Sequence, residues 1–265
     1  TGAIATFDFA TVAEETAGTS FNLRVINALD ASGNPAGDTV YVSLVQGGDA
    51  APNGQEPILT PIVVTNGSGQ AGQTFFKAEN NVVIRGDTPG GVNQQTNAFN
   101  VKPGAFQTLS INGFPTSVAA GAGFLGQTIT VEAFDRYGNL KTDFTDAVYF
   151  TSSDLNALLP ATAPSPYTFV TADSGSRDFN GDGFELRTAG SQTVTVNSGS
   201  VSATSNLIQV TGGPIDTFNF QTVPTLTAGQ THSLRVVNAV DEFGNPAADN
   251  VLVSLQQGGG TAPNG

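Results

Sequence analysis

The sequence contains no cysteine, no methionine, no tryptophan and a single histidine among 265 residues. Without cysteine there is no disulfide framework, no thiolate metal site, no haem-attachment motif and no cysteine nucleophile. With one histidine, any Ser-His-Asp arrangement or imidazole-rich zinc site would have to be built around His232. Cations are scarce as well: 9 Lys and Arg stand against 22 Asp and Glu, for a net charge of −13. Nucleic-acid binding needs clustered cations to neutralise phosphate, so that class of partner is excluded. No apolar run approaches the ~20 residues that span a bilayer, so no membrane insertion is expected within this segment.

Charged residues amount to 12%, about half the ~25% usual for soluble domains. Apolar residues reach 38%, including 18 Phe, enough to fill a core, and 32 Gly with 14 Pro imply a chain full of turns. Low charge, acidity and abundant Thr, Ser, Asn and Gly point by composition to an extracellular or cell-surface location.

Self-similarity organises the chain. Ile4–Gly54 aligns with Ile215–Gly265 without a gap, at an offset of 211, and 31 of the 51 positions are identical. A more distant copy lies between them: Phe106–Asn112 matches the opening strand, and Asp135-Arg-Tyr-Gly-Asn139 matches Asp30-Ala-Ser-Gly-Asn34 and Asp241-Glu-Phe-Gly-Asn245. The expected domains are 1–104 (type 1), 105–213 (type 2) and 214–265, the N-terminal half of another type 1 unit. Half a sandwich leaves its core open and its edges unpaired. The chain therefore reads as a window on a longer tandem array, or as a subunit whose half domain another chain completes.

Periodicity is two almost throughout. Val40, Val42 and Leu44, their repeats Val251, Val253 and Leu255, then Ile129, Val131 and Ala133, and Val194 with Val196 alternate with outward residues. Strands are expected near 4–9, 19–29, 39–46, 58–65, 72–78, 81–86 and 96–102. In the second unit they are expected near 105–111, 127–134, 146–152, 166–171, 183–188, 191–197 and 203–210, with one helical turn over Ser153–Leu159. About seven short strands per unit, with regular turn signals, predict an all-β chain of antiparallel sandwiches. Counting back from the shared Asp turns Arg24 inward and Leu23 and Val25 outward; a β-bulge between Val25 and Asp30 would restore the phase. Arg24 and its repeat Arg235 then read as exposed cations or as a repeated salt bridge.

The Asp-x-x-Gly-Asn turns, with Tyr167-Thr-Phe169, Ala172-Asp-Ser-Gly175 and Leu186–Val196, resemble the bacterial immunoglobulin-like repeats of invasin/intimin-type adhesins and giant surface proteins. The resemblance covers essentially the whole chain. It implies tandem immunoglobulin-like sandwiches in a rod, with neighbouring repeats of the same or like chains as partners. It says little of function, since such modules serve many roles. The turn has its own physical logic. Gly33, Gly138 and Gly244 supply a positive φ; Asn34, Asn139 and Asn245 tolerate one; and Asp30, Asp135 and Asp241 can cap amides two residues on. These nine are structural turn residues.

Asp178-Phe-Asn180-Gly-Asp182-Gly183-Phe-Glu185 opens like a calcium loop, with alternating oxygen ligands and Gly at the sixth position. The twelfth position is Ala189, not Glu, so Asp178, Asn180 and Asp182 would need Glu185 or Asp173 to complete the shell. The other reading is a polar hairpin turn. No further cofactor is expected. Glu14-Glu15, Asp143 with Asp146, and Asp216 do not recur between units, which favours solvated surface over paired catalytic carboxylates. His232 stands where its twin is Phe21, a poor place for an essential base. Gly47-Gly48 and Gly258–Gly260 lack the Lys-Ser/Thr and helix of a phosphate loop, and Asn66-Gly-Ser68 is a lone glycosylation sequon. No enzymatic activity is expected. The expected function is a structural module of an extracellular fibre, filament or adhesin stalk. The alternatives are a carbohydrate- or host-protein-binding module, for which Tyr41, Tyr137, Tyr149 and Tyr167 give no shared patch, or an accessory region of a secreted enzyme.

Overall fold

The computed structural model describes residues 2–258 and residue 260. Its regular structure is β, with single-turn 3-10 helices only at Thr171–Asp173 and Gly181–Gly183 among the described residues. The first nine strands are β1 (Thr6–Phe9), β2 (Glu15–Thr16), β3 (Ser20–Leu29), β4 (Asp38–Gln46), β5 (Ile62–Val64), β6 (Gly69–Thr74), β7 (Glu79–Asp87), β8 (Asn93–Gln95) and β9 (Phe99–Lys102). They form two facing sheets, β1-β3-β6 and β2-β9-β7-β4-β5, with β8 on β7. Phe7, Leu23, Val25, Val40, Ile62, Phe75, Ile84 and Phe99 fill the space between them. The chain crosses from one sheet to the other between β1 and β2. It then runs beside β9 in the same direction, so Glu15 pairs with Val101 in a parallel ladder within an otherwise antiparallel sandwich.

The second group is β10 (Phe106–Asn112), β11 (Ser117–Ala119), β12 (Thr128–Asp135), β13 (Ala147–Ser152), β14 (Tyr167–Thr168), β15 (Ser176–Asn180), β16 (Gly190–Gln192), β17 (Val194–Ser198), β18 (Val201–Thr204) and β19 (Ile208–Thr211). Its ladders, β10-β12-β15, β11-β19-β16 and β14-β13-β17-β18, enclose a second core. That core is an aromatic stack in which Phe150 meets Phe179 and Phe184 edge-on, and Phe124 lies parallel to Phe184. The remaining strands, β20 (Thr217–Phe220) and β21 (Val236–Val240), make one antiparallel pair.

The inverted phase at Arg24 has its physical cause at Asn27, whose φ is 54°. Leu23 and Val25 are buried two apart, the next buried residue is Ala28, and the register against β1 slips between Thr6 and Asp8. Asn238 repeats this conformation with φ 53°. Arg24 points outward and, among the described residues, forms no ion pair.

Several expected elements differ. Residues 183–188 are not a strand; the strand lies earlier, at β15, and ends at Asn180, just before Gly181, where a Cβ would stand 2.3 Å from the Phe124 carbonyl oxygen. The expected strands 191–197 and 203–210 each divide in two, because the chain changes sheet at Thr193 and again between β18 and β19. The strand expected at 72–78 lies at β6, a polar segment, and only Ile62–Val64 of 58–65 joins the sheet. The segment expected at 166–171 keeps only Tyr167–Thr168 before the 3-10 turn. Ser153–Leu159 is an irregular turn around the buried Asp154. Val251, Val253 and Leu255 are in no strand.

Candidate functional site

The Asp-x-x-Gly-Asn turns follow β3, β12 and β21, and after β3 and β12 the chain leaves one sheet for the other. Each needs a glycine in the left-handed region: Gly33, Gly138 and Gly244 have φ of 79°, 82° and 83°. In the second turn, Asp135 Oδ1 accepts the amides of Tyr137 (2.8 Å) and Asn139 (3.0 Å). Its Oδ2 accepts the linker amide of Gly104 and the Asn139 carboxamide, both at 2.8 Å. In the third turn, Asp241 Oδ1 accepts from Phe243 and Asn245, and its Oδ2 from the Gly213 amide and the Asn245 carboxamide. One carboxylate thus satisfies four donors and ties the linker to the turn.

The Asn side chains then reach the preceding sandwich. Asn139 Nδ2 donates to the Phe76 carbonyl (2.7 Å), and its Oδ1 accepts the Ala78 amide (2.8 Å). Asn245 Nδ2 donates to the Arg187 carbonyl (2.7 Å), and its Oδ1 accepts the Ala189 amide (2.8 Å). A carboxamide used in this way imitates a β-bridge partner, bracketing a carbonyl and the amide two residues on. Asp135, Asn139, Asp241 and Asn245 are all buried, and buried polar groups of this kind need full hydrogen bonding.

The middle residue of the second and third turns adds an aromatic plug. Tyr137 belongs to the first core and meets Phe76 in a tilted pair, 5.0 Å between centroids. Phe243 packs against the second core, with the Arg187 guanidinium 5.2 Å from its centroid. Each ring lies over a glycine. A Cβ on Gly18 would fall 2.0 Å from the Tyr137 hydroxyl, and one on Gly121 would fall 2.5 Å from the Phe243 ring. At the first junction the Asn53 amide also donates to the Tyr137 carbonyl at 3.0 Å.

Asp154 stiffens the edge that Asn245 grips. Its carboxylate accepts the amides of Arg187 (2.6 Å), Thr188 (2.8 Å) and Asn156 (3.0 Å), and the Thr188 hydroxyl (2.7 Å). Burial pushes its carboxyl upward, but these four donors outweigh burial and leave it below the usual carboxylate range.

The turn residues Asp135, Gly138, Asn139, Asp241, Gly244 and Asn245 are thus also contact residues between units, a role sequence reasoning missed. The spacing marks a turn but carries no sign of what lies across it. The one available signal was the aromatic at the third position, together with the Ala17-Gly18 and Ala120-Gly121 pairs a whole unit earlier in the chain. Asp30, Gly33 and Asn34 form the same turn with Asn34 exposed.

The calcium-loop residues are not gathered around one point. Asp178 accepts from the Thr130 hydroxyl on β12 (2.7 Å). Asn180 caps the Asp182 amide at the start of the 3-10 turn (3.1 Å). Glu185 is paired with Arg187 (2.6 Å), and Asp173 with the Tyr167 hydroxyl and Arg177. Among the described residues no three acidic or imidazole groups converge as a metal site. Glu14 and Asp143 pair with Lys102 and Lys141, and His232 is exposed. Among the described residues no helix is long and apolar enough to cross a membrane.

No family model and no curated protein matches the chain. Among solved structures, domains 4–9 of the surface layer protein SbsC are 19% identical, covering 94% of this chain and 38% of that one, with a TM-score of 0.34. The Yersinia pseudotuberculosis adhesin InvE is 14% identical, covering 82% and 66%, with a TM-score of 0.34. The fibronectin(III)-like modules of Clostridium thermocellum CbhA are 12% identical, covering 77% and 94%, with a TM-score of 0.22. Similarity this low carries no functional argument.

Proposed function

We propose that this chain is a structural segment of a long extracellular fibre or adhesin stalk on a bacterial surface, built from tandem sandwiches clamped end to end. The observation that carries the reading is the repeated junction. Linker amide to Asp, Asn to a backbone carbonyl and amide, and a ring over glycine recur at Asp135–Asn139 and at Asp241–Asn245. A repeated joint that buries its polar groups resists bending, and resistance to bending is what a stalk requires of its modules. The low charge and the Thr, Ser and Asn content support the surface location. The reading assigns this segment no catalytic step and does not depend on calcium.

Small-angle scattering on the chain and on an Asn139→Ala, Asn245→Ala double variant tests it. The expected result is a narrow distribution of lengths for the parent chain and a broader one for the variant. A parent chain that scatters as freely hinged beads, no stiffer than the variant, overturns the stalk reading.

A further inference from the structure

The chain has three such turns, and two of them are docked. The remaining one, Asp30–Asn34, is built on the same Asp-to-amide contacts. Asp30 Oδ1 accepts the amides of Ser32 (2.9 Å) and Asn34 (3.0 Å) and, at 3.4 Å, the Asn34 carboxamide, which at the other two turns goes to Oδ2 instead. What differs is the outward side. Asn139 and Asn245 are buried, each bracketing a carbonyl and an alanine amide, whereas Asn34 is exposed. The clamp is assembled and its outer hydrogen-bonding positions face solvent.

We propose that Asp30–Asn34 is the docking site for another sandwich of the second-unit type, whose trailing edge offers Asn34 a backbone carbonyl and, two residues on, an alanine amide. This inference rests on the stalk reading above. The choice of partner follows from the repeat. The 30–34 turn lies within the 51-residue segment that aligns without a gap to the 241–245 turn, and both continue as Asn-Pro-Ala. The 241–245 turn docks on Arg187–Ala189 of the second unit. The turn at 135–139, which docks on the first unit instead, continues as Asn-Leu-Lys.

The new joint differs from the two inner ones in one respect. Ser32 occupies the place of Tyr137 and Phe243, so no ring covers the glycine that Gly121 represents in a second-type unit. The Asp30 joint is therefore a carboxamide clamp without a plug, and it bends more readily than its neighbours.

The test uses the full chain with residues 105–212 copied directly ahead of Gly2, which reproduces the Gly212-Gly213 linker. Residue-resolved amide hydrogen exchange is followed at both Ala189 amides. In the added copy, exchange at Ala189 is expected to be about tenfold slower with Asn34 than with Asn34→Ala, the scale of one buried hydrogen bond. Ser32→Phe should slow it further. The native Ala189 amide, held by Asn245, is the internal reference. If that reference is protected and lost in Asn245→Ala while the added amide ignores Asn34→Ala, the proposed docking is wrong and the stalk reading survives. If neither amide responds to its asparagine, the junction itself fails and both readings go with it. An added amide that responds to Asn34 but not to Ser32→Phe overturns the claim that a missing ring weakens this joint.

Discussion

Residues 4–47 and 215–258 align without a gap and stand in two different circumstances. Phe7 is 1% exposed and its twin Phe218 is 37%; Leu23 is 0% exposed and Leu234 is 49%. β3 runs for ten residues between β1 and β6, while β21 has only β20 beside it and runs for five. β4 lies between β5 and β7, and the matching Val251, Val253 and Leu255 lie in no strand. In the first unit those neighbours are β5, β6 and β7, all of them later in the chain than β4. A strand pattern therefore specifies which face of a segment is apolar. Whether that face becomes a core depends on partners distant in sequence, which is why sheets fold late and non-locally.

Truncating the same phenylalanine in both places measures this directly and gives the largest expected effect. Phe7→Ala should cost the first sandwich about 3–5 kcal/mol in a denaturant melt, the usual range for emptying a buried phenylalanine site. Phe218→Ala should shift no transition of the chain by more than about 1 kcal/mol. Equal losses would mean that the 215–258 segment is packed as its twin is. Gly18→Ala against Gly229→Ala comes next. Both glycines have positive φ, 79° and 83°, so each alanine should meet roughly 1–2 kcal/mol of left-handed strain. Only at Gly18 does the new methyl meet the Tyr137 ring; at Gly229 there is nothing within 4 Å. The Gly18 variant should lose a further 1–3 kcal/mol or so from overpacking, read as a difference between the two melts.

Both cores were legible because their signal is local alternation. Val40, Ile129 with Val131, and Val194 with Val196 are all fully buried, as their period predicts. The bulge was legible too, since only an extra residue reconciles Leu23 and Val25 with the phase set by Asp30. The division of 191–197 and 203–210 was not. Val194 and Val196 continue the period of their neighbours, and nothing local marks Thr193 as the point where the chain changes sheet. Asp154 was equally silent: its partners Arg187 and Thr188 lie more than thirty residues away. The junction turns were read correctly as turns and incompletely as contacts, because the groups that Asn139 and Asn245 address are backbone atoms, which leave no mark on sequence.

Asn245→Ala and Asn34→Ala form a third matched pair. The first removes three side-chain hydrogen bonds, to the Arg187 carbonyl, the Ala189 amide and Asp241, and strands the first two groups, a loss of about 1–3 kcal/mol in the coupling of the last two units. The second removes an exposed side chain and should stay within about 0.5 kcal/mol. Exchange rates at the Ala189 amide read the first effect without interference from global unfolding. A similar loss in both variants would show that Asn34 already carries a buried contact within this chain.

Acid gives the smallest and most gradual contrast. Burial pushes the Asp241 carboxyl upward, but the Asn245 carboxamide and the amides of Gly213, Asn245 and Phe243 outweigh it and hold it below the ordinary carboxylate value. The Asn34 amide lowers Asp30 most strongly; burial opposes it, and the Ser32 amide, the Asn34 carboxamide and the Gly2 amide add to the lowering. For a carboxyl lowered on folding, the stabilisation is complete above the unfolded pKa of about 3.9 and is lost as pH falls through the lower folded value. The direction is the same at both turns, but the consequence differs. Protonating Asp241 releases the Gly213 linker and the asparagine that grips the second sandwich, so the joint should loosen below about pH 4. Protonating Asp30 loosens only a solvent-facing turn. An acid titration followed at the Ala189 and Ser32 amides should show a cooperative change at the first and a shallow local one at the second. Asp241→Asn should bring the loosened joint to neutral pH; if it leaves Ala189 protected there, the carboxylate is not what fastens this linker.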